Sequence, residues 1–145
     1  MPSTTDATDR LAQFYEKITP AHLLRLGQHY APDARFKDPF NEVQGIAAIA
    51  HIFEHMFANL NQPHFIITTQ VVEGQQAFLT WEFRFHFKSW KTDSEQCIRG
   101  ATHLRFNPQG LIELHRDYWD AAEELYEKLP AIGPLMRWLR RRASR

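Results

Sequence analysis

Two short stretches concentrate the side chains that could move a proton. One is Asp38, immediately before Pro39; the other is His115-Arg116-Asp117-Tyr118-Trp119-Asp120. Carboxylates and imidazole are common general acids and bases. A carboxyl group in water titrates near ~3.9, too low for an efficient base at neutral pH, and desolvation by apolar walls raises that value. Proton transfer is therefore the expected chemistry if the fold encloses such an aspartate in apolar surroundings.

Strand periodicity says which of these side chains can meet. Successive residues of a strand point to opposite faces, so His115, Asp117 and Trp119 share one side, and Leu114, Arg116 and Tyr118 the other. On the preceding strand, Gly100, Thr102 and Leu104 are grouped against Arg99, His103 and Arg105. Each candidate also has a structural reading. Asp117 could pair with Arg116 or Arg99 or cap the next helix; Asp38 could bond its own turn beside Pro39; His115 could be a satisfied histidine. His51-Ile52-Phe53-Glu54-His55 matches a zinc-protease pattern, H-x-x-E-H. On a helix buried through Ile49, Phe53 and Met56, both histidines are expected to point away from the core and from any enclosed pocket, so no metal site is expected.

The elements that must position these groups read as follows. Leu11, Phe14, Tyr15 and Ile18 recur at helical spacing, predicting a first helix from Asp6 or Asp9 to Ile18. Thr19-Pro20 is a favourable entry to a second helix, with Leu23, Leu26 and Tyr30 on its buried face. Residues 31–45 form loop and short strand, Asp38 being kept extended by the proline after it. Gly45 opens a third helix built on Ile49, Ile52, Phe53, Met56 and Leu60. The period then changes to two. Residues 65–72 are rich in β-branched side chains, and Trp81-Glu82-Phe83-Arg84-Phe85-His86-Phe87-Lys88 alternates strictly, setting four aromatics on one face. Strands over 98–106 and from Leu111 to Tyr118 flank the turn Asn107-Pro108-Gln109-Gly110 as a hairpin. Past Asp120 the chain turns helical, and a short amphipathic helix on Leu135, Trp138 and Leu139 closes it. Helices first and strands afterwards give an α+β fold in which helices cover the aromatic face of an antiparallel sheet.

Composition narrows the class further. With 145 residues, 43% of them hydrophobic, a single domain over 1–145 with a real core is expected. Lys plus Arg equal Asp plus Glu at 17 each, which leaves no overall electrostatic footprint for nucleic acid. Five arginines and no acid fall in residues 134–145, an Arg-rich tail expected to pack on or cover the domain rather than to bind membranes. The one cysteine, Cys97, excludes an internal disulfide, and the polar opening stretch lacks the apolar core of a signal peptide; a cytoplasmic protein is the default expectation.

Tyr30-Ala31-Pro32-Asp33-Ala34-Arg35-Phe36-Lys37-Asp38-Pro39-Phe40, followed by Gly45 and a helix, resembles the nuclear transport factor 2 family in its ketosteroid isomerase and SnoaL-like branches. Arg105-Phe106-Asn107 before a glycine turn and the His115 to Asp120 stretch carry the likeness further, over roughly residues 11–125. The resemblance implies a cone-shaped, cystatin-like roll: a curved sheet wrapped by about three helices around a pocket, commonly a homodimer through the outer sheet face, where Glu82, Arg84 and His86 would lie. His115, Asp117 and Trp119 would then face the pocket, with Trp81, Phe83, Phe85 and Thr102.

In the isomerases, the aspartate before proline is the base, which falls on Asp38; a tyrosine of the first helix falls on Tyr15, with Phe14 as the competing register. The second oxyanion donor, an acid there, falls on Thr102, so the sequence departs from the isomerase at that point. SnoaL-like cyclases keep their acid–base aspartate in the last strand, which matches Asp117, with Asp120 behind it. Limonene epoxide hydrolases of this architecture use an Asp-Arg-Asp set, but Arg99 has outward parity. The resemblance thus implies a cofactor-independent isomerase, cyclase or hydrolase acting on an apolar carbonyl-bearing or epoxide-like molecule. The alternative of another class is a non-catalytic ligand-binding or protein-interaction module of the same fold.

Overall fold

The computed structural model describes residues 3–89, 92–125, 138 and 141–143. The first helix, α1 (Thr4–Glu16), is entered through Ser3, whose hydroxyl accepts the Asp6 N–H at 3.0 Å. Leu11 and Tyr15, one turn apart, are both buried. The restart at Thr19-Pro20 produces a 3₁₀ segment, Pro20–Gln28, rather than an α-helix. Its three-residue repeat puts Leu23 and Leu26 on one line facing the core. Tyr30 does not belong to this segment, contrary to the spacing argument; it opens a strand, β1 (Tyr30–Lys37), and is fully buried.

After β2 (Glu42–Gln44), Gly45 adopts φ +97°, a backbone state open to glycine, and starts α2 (Ile46–Asn59). Ile49 and Phe53 bury its inner face. Four strands follow: β3 (Leu60–Glu73), β4 (Gln76–Phe87), β5 (Gln96–Phe106) and β6 (Ile112–Tyr118), then a turn of helix, α3 (Ala121–Glu124). Asp120 caps α3 by accepting the Glu123 N–H at 3.1 Å.

The six strands form one sheet in the order β2-β1-β6-β5-β4-β3. Neighbours are antiparallel except β1 and β6, which run parallel and bring Phe36 opposite His115. Register breaks in β3 between Asn61 and His64 and between Ile67 and Thr69 bend this long strand. The sheet is curved and unclosed, and the N-terminal helices pack inside its curve. Leu11, Leu26, Ile49, Leu79 and Leu104 meet in the core with no more than 1% of their surface exposed. Each such burial stabilises the fold by about 1.5–3 kcal/mol. The final amphipathic helix expected over 134–145 lies mostly outside the described residues. Within it, Trp138 is exposed and the Arg142 guanidinium lies 5.2 Å from its ring centroid. No helix among the described residues is long and apolar enough to cross a membrane.

Candidate functional site

Strand register assembles the polar centre. Thr102 of β5 is paired with Asp117 of β6, Leu104 with His115, and Leu79 of β4 with Thr102. Because parity is shared across a ladder, Thr102, His115 and Asp117 all point into the curve of the sheet. Trp81 reaches the same place because its partner across the ladder is Gly100: a Cβ built at Gly100 would lie 2.5 Å from the indole Cη2. The absent side chain is what lets the ring lie on the strand.

These side chains form one hydrogen-bonded chain. Trp81 Nε1–H donates to Thr102 Oγ1 at 2.8 Å, and Thr102 Oγ1 donates to Asp117 Oδ1 at 2.6 Å. His115 Nε2 lies 2.7 Å from the same Oδ1. On the other side of the ring, Nδ1 is 2.7 Å from the Tyr30 hydroxyl and 3.3 Å from that of Tyr15, and the two phenols bond each other. With Asp117 ionised and His115 neutral, the hydrogens run one way: Tyr15 to Tyr30 to His115 Nδ1, and His115 Nε2–H to Asp117, where the Thr102 hydroxyl also ends. Burial, the largest cause, raises the pKa of both phenols above the ordinary 10, and the Asp117 charge acts in the same direction. For Tyr30 the bond with Tyr15 opposes that rise without cancelling it. Both phenols are therefore neutral donors at physiological pH.

Asp117 uses Oδ1 twice, whereas Oδ2 has no hydrogen-bond partner among the described residues. The Asp117 side chain is 18% exposed, against 4% for His115. It borders a cavity of about 500 Å³ whose wall includes Trp81, Phe83, Phe85 and Trp119. A second void of about 30 Å³, enough for a water molecule, touches Tyr15, Thr102, His115 and Asp117. An open groove of about 590 Å³ lies at the rim beside Lys37, Arg116 and Tyr118. It touches Asp117 too but reaches none of the other network residues, so the aromatic cavity is the better site.

Asp38 borders the same cavity, with its carboxylate engaged in its own turn. Oδ1 accepts the Phe40 N–H at 2.8 Å, the Asn41 N–H at 2.6 Å and the Asn41 side-chain amide at 3.1 Å; Oδ2 accepts that amide as well, at 3.1 Å. Arg99 points away from Asp117 and pairs with Glu124 at 3.0 Å. The structure differs from expectation at His55, which borders the cavity although helix geometry turned it away; α2 runs along the opening, so a residue off its buried face still meets the rim. His51 contacts Glu54 at 3.8 Å, and no group of three or more potential metal ligands occurs among the described residues.

Sequence reasoning missed Tyr30 as a member of the site. Its only signal was membership of the Tyr30 to Phe40 stretch, because helical spacing from Leu23 and Leu26 explained it as packing.

A curved, unclosed sheet wrapped by N-terminal helices, with an inward hydrogen-bonded network beside a cavity, is the architecture of an NTF2-like cone. The SnoaL-like domain model matches residues 11–115, and the chain belongs to that family. A search of curated protein sequences finds no match. Among solved structures, the chain is similar to a protein of ketosteroid isomerase-like fold from Catenulispora acidiphila in complex with trimethylamine: TM-score 0.70, 20% identity, 85% of this chain and 92% of that one. It is also similar to a Jannaschia protein described as a SnoaL-like polyketide cyclase, with TM-score 0.72, 12% identity and coverage of 90% and 91%. An LEH-like epoxide hydrolase of M. tuberculosis matches with TM-score 0.68, 15% identity and coverage of 85% and 89%. At these identities the likeness shows the fold alone.

Proposed function

We propose that this protein is a cofactor-independent acid–base enzyme of the isomerase, cyclase or hydrolase type, with Asp117 as its proton-transferring group and an apolar small molecule as substrate. The observation that carries this reading is the division of labour within one carboxylate. Oδ1 is held by His115 and Thr102, while Oδ2 has no partner among the described residues, in a side chain that borders the cavity. A base oriented through one oxygen and available through the other needs little reorganisation before it acts. Oδ2 would take a proton from carbon next to a substrate carbonyl, and the resulting carboxylic acid would return it to the product.

His115, Tyr15, Tyr30 and Thr102 are positioning residues in this scheme, and Trp81, Phe83, Phe85 and Trp119 are the walls. Asp38 holds the Pro39 to Asn41 turn at the rim. Arg99, occupied by Glu124, supports the acid–base reading over an Asp-Arg-Asp epoxide hydrolase set. Replacing Asp117 with Asn tests the assignment: turnover should fall while binding of a neutral ketone persists.

A second reading is a binding module without catalysis. The trimethylamine complex of a protein with this fold favours it; in that case Asp117→Asn changes no rate. Homodimerisation through the outer sheet face is supported by Phe78 and Tyr118, 46% and 50% exposed. Phe78 stacks on His103, and Arg116 lies over the Tyr118 ring. A cytoplasmic location is supported by the single cysteine, Cys97, which precludes an internal disulfide.

A further inference from the structure

The acid–base reading uses one carboxylate of the cavity and leaves the combined charge of its wall unexplained. Asp117 and Asp38 both border the cavity, His55 is the one other titratable side chain on its wall, and no lysine or arginine lines it among the described residues. Lys37 and Arg116 line the adjoining rim groove, which Asp38 and Asp117 also border, but lie outside the aromatic cavity; Lys37 contacts Glu42 at 3.7 Å, Arg116 lies over the Tyr118 ring at 4.7 Å, and Arg99 pairs with Glu124. Phe40, Phe65, Trp81, Phe83, Phe85 and Trp119 make up much of the remaining wall.

The two carboxylates are held by hydrogen bonds, from His115 and Thr102 and from the Asp38 turn, rather than by a lysine or arginine of the cavity wall, so a ligand that brings positive charge gains from their field. Aromatic rings present a negative π face, which attracts a cation further. The hydrogen-bonding state of the two acids narrows the kind of cation. Asp38 has its oxygens filled by the turn, so it offers field but little further acceptor capacity, and Asp117 has only Oδ2 open. Such a site suits a cation that needs charge and π faces rather than several acceptors, which describes a tertiary or quaternary ammonium.

We propose that the cavity selects apolar molecules carrying a tertiary or quaternary ammonium group, held by the combined field of Asp117 and Asp38 and by the aromatic walls. This rests on the cavity being the substrate site, and it names the substrate class for that site.

The test is calorimetric or tryptophan-fluorescence titration of the full chain with phenyltrimethylammonium and with its neutral isostere, tert-butylbenzene. The cation should bind at least roughly tenfold more tightly. That preference should shrink in Asp38→Asn, which keeps the volume, and shrink further in Asp117→Asn. Should Asp117→Asn fail to fold, Asp38→Asn with Trp119→Leu gives a second reading, in which the preference should also fall. Equal affinity for the two probes, no saturable binding of either, or a preference unchanged by these substitutions overturns the proposal. Equal affinity together with loss of proton transfer in Asp117→Asn removes only the ammonium preference. A clear preference with unchanged proton transfer in Asp117→Asn removes only the acid–base reading.

Discussion

The Tyr30 hydroxyl lies 2.7 Å from His115 Nδ1, so a residue that begins the first strand fixes the ring that holds Asp117 from the last. Parallel pairing of β1 with β6 brings these distant parts of the chain together. Removing the Tyr30 hydroxyl should therefore affect both stability and the imidazole. Tyr30→Phe is expected to cost about 1–3 kcal/mol, the penalty for an unsatisfied buried polar group. Urea denaturation measures the loss, and nitrogen NMR should show the His115 Nδ1 resonance shifting as its short donor is lost, while Asp117 keeps the ring in the Nε2–H form. Unchanged stability and an unchanged Nδ1 resonance would show that the phenol is mere packing.

Alkaline pH should weaken the fold through the same phenols. Their pKa values are raised by burial first, and the unfolded chain releases both protons near the ordinary 10. Above pH about 10 the unfolded state thus binds fewer protons than the folded one, and stability falls as pH rises; below it the contribution is fully present. Denaturation midpoints taken from about pH 8 to about pH 11 should show this decline, with a shallower slope in Tyr30→Phe. An identical slope would contradict the burial argument.

Gly100→Ala should displace Trp81. The new Cβ would fall 2.5 Å from Cη2 and 2.6 Å from Cζ2 of the indole, and the ring cannot yield without straining its 2.8 Å bond to Thr102. Overpacking of this kind costs about 1–3 kcal/mol. Thermal denaturation and a shifted tryptophan emission would report it; a wild-type spectrum and midpoint would show that the wall is more plastic than described.

Phe78→Glu tests the outer face. Phe78 is 46% exposed and stacked on His103 with ring centroids 4.5 Å apart. A charge in a dimer core should dissociate the pair, which analytical ultracentrifugation detects. A variant that sediments like the wild-type chain would move the interface elsewhere.

Much of this arrangement was legible because strands obey a strict period. The alternation from Trp81 to Phe87 and the common parity of His115, Asp117 and Trp119 followed from a rule with two faces, whereas the register that sets Thr102 against Asp117 is visible only in the pairing of β5 with β6. Tyr30 was illegible because it sits at a boundary, where helical spacing and strand membership predict the same burial. His55 was misplaced because a helical wheel separates a buried face from an exposed one but does not show a cavity mouth running along the helix. The Asp38 turn could be anticipated from Asp-Pro, whereas its bonds to Asn41 depend on the path after Pro39, which sequence spacing does not specify.

The most direct test of Asp117 follows proton exchange rather than a natural substrate. The α-hydrogens of β-tetralone, cyclohexanone and acetophenone can be followed by NMR in deuterium oxide with wild-type protein and with Asp117→Asn, whose side-chain oxygen can still accept from Thr102 and His115. The account predicts accelerated exchange with the wild type for at least one ketone, and a loss of roughly 10²–10⁴-fold in the variant, with its denaturation midpoint and ketone affinity little changed. Exchange in the variant as fast as in the wild type, whether both are accelerated or neither is, would contradict it.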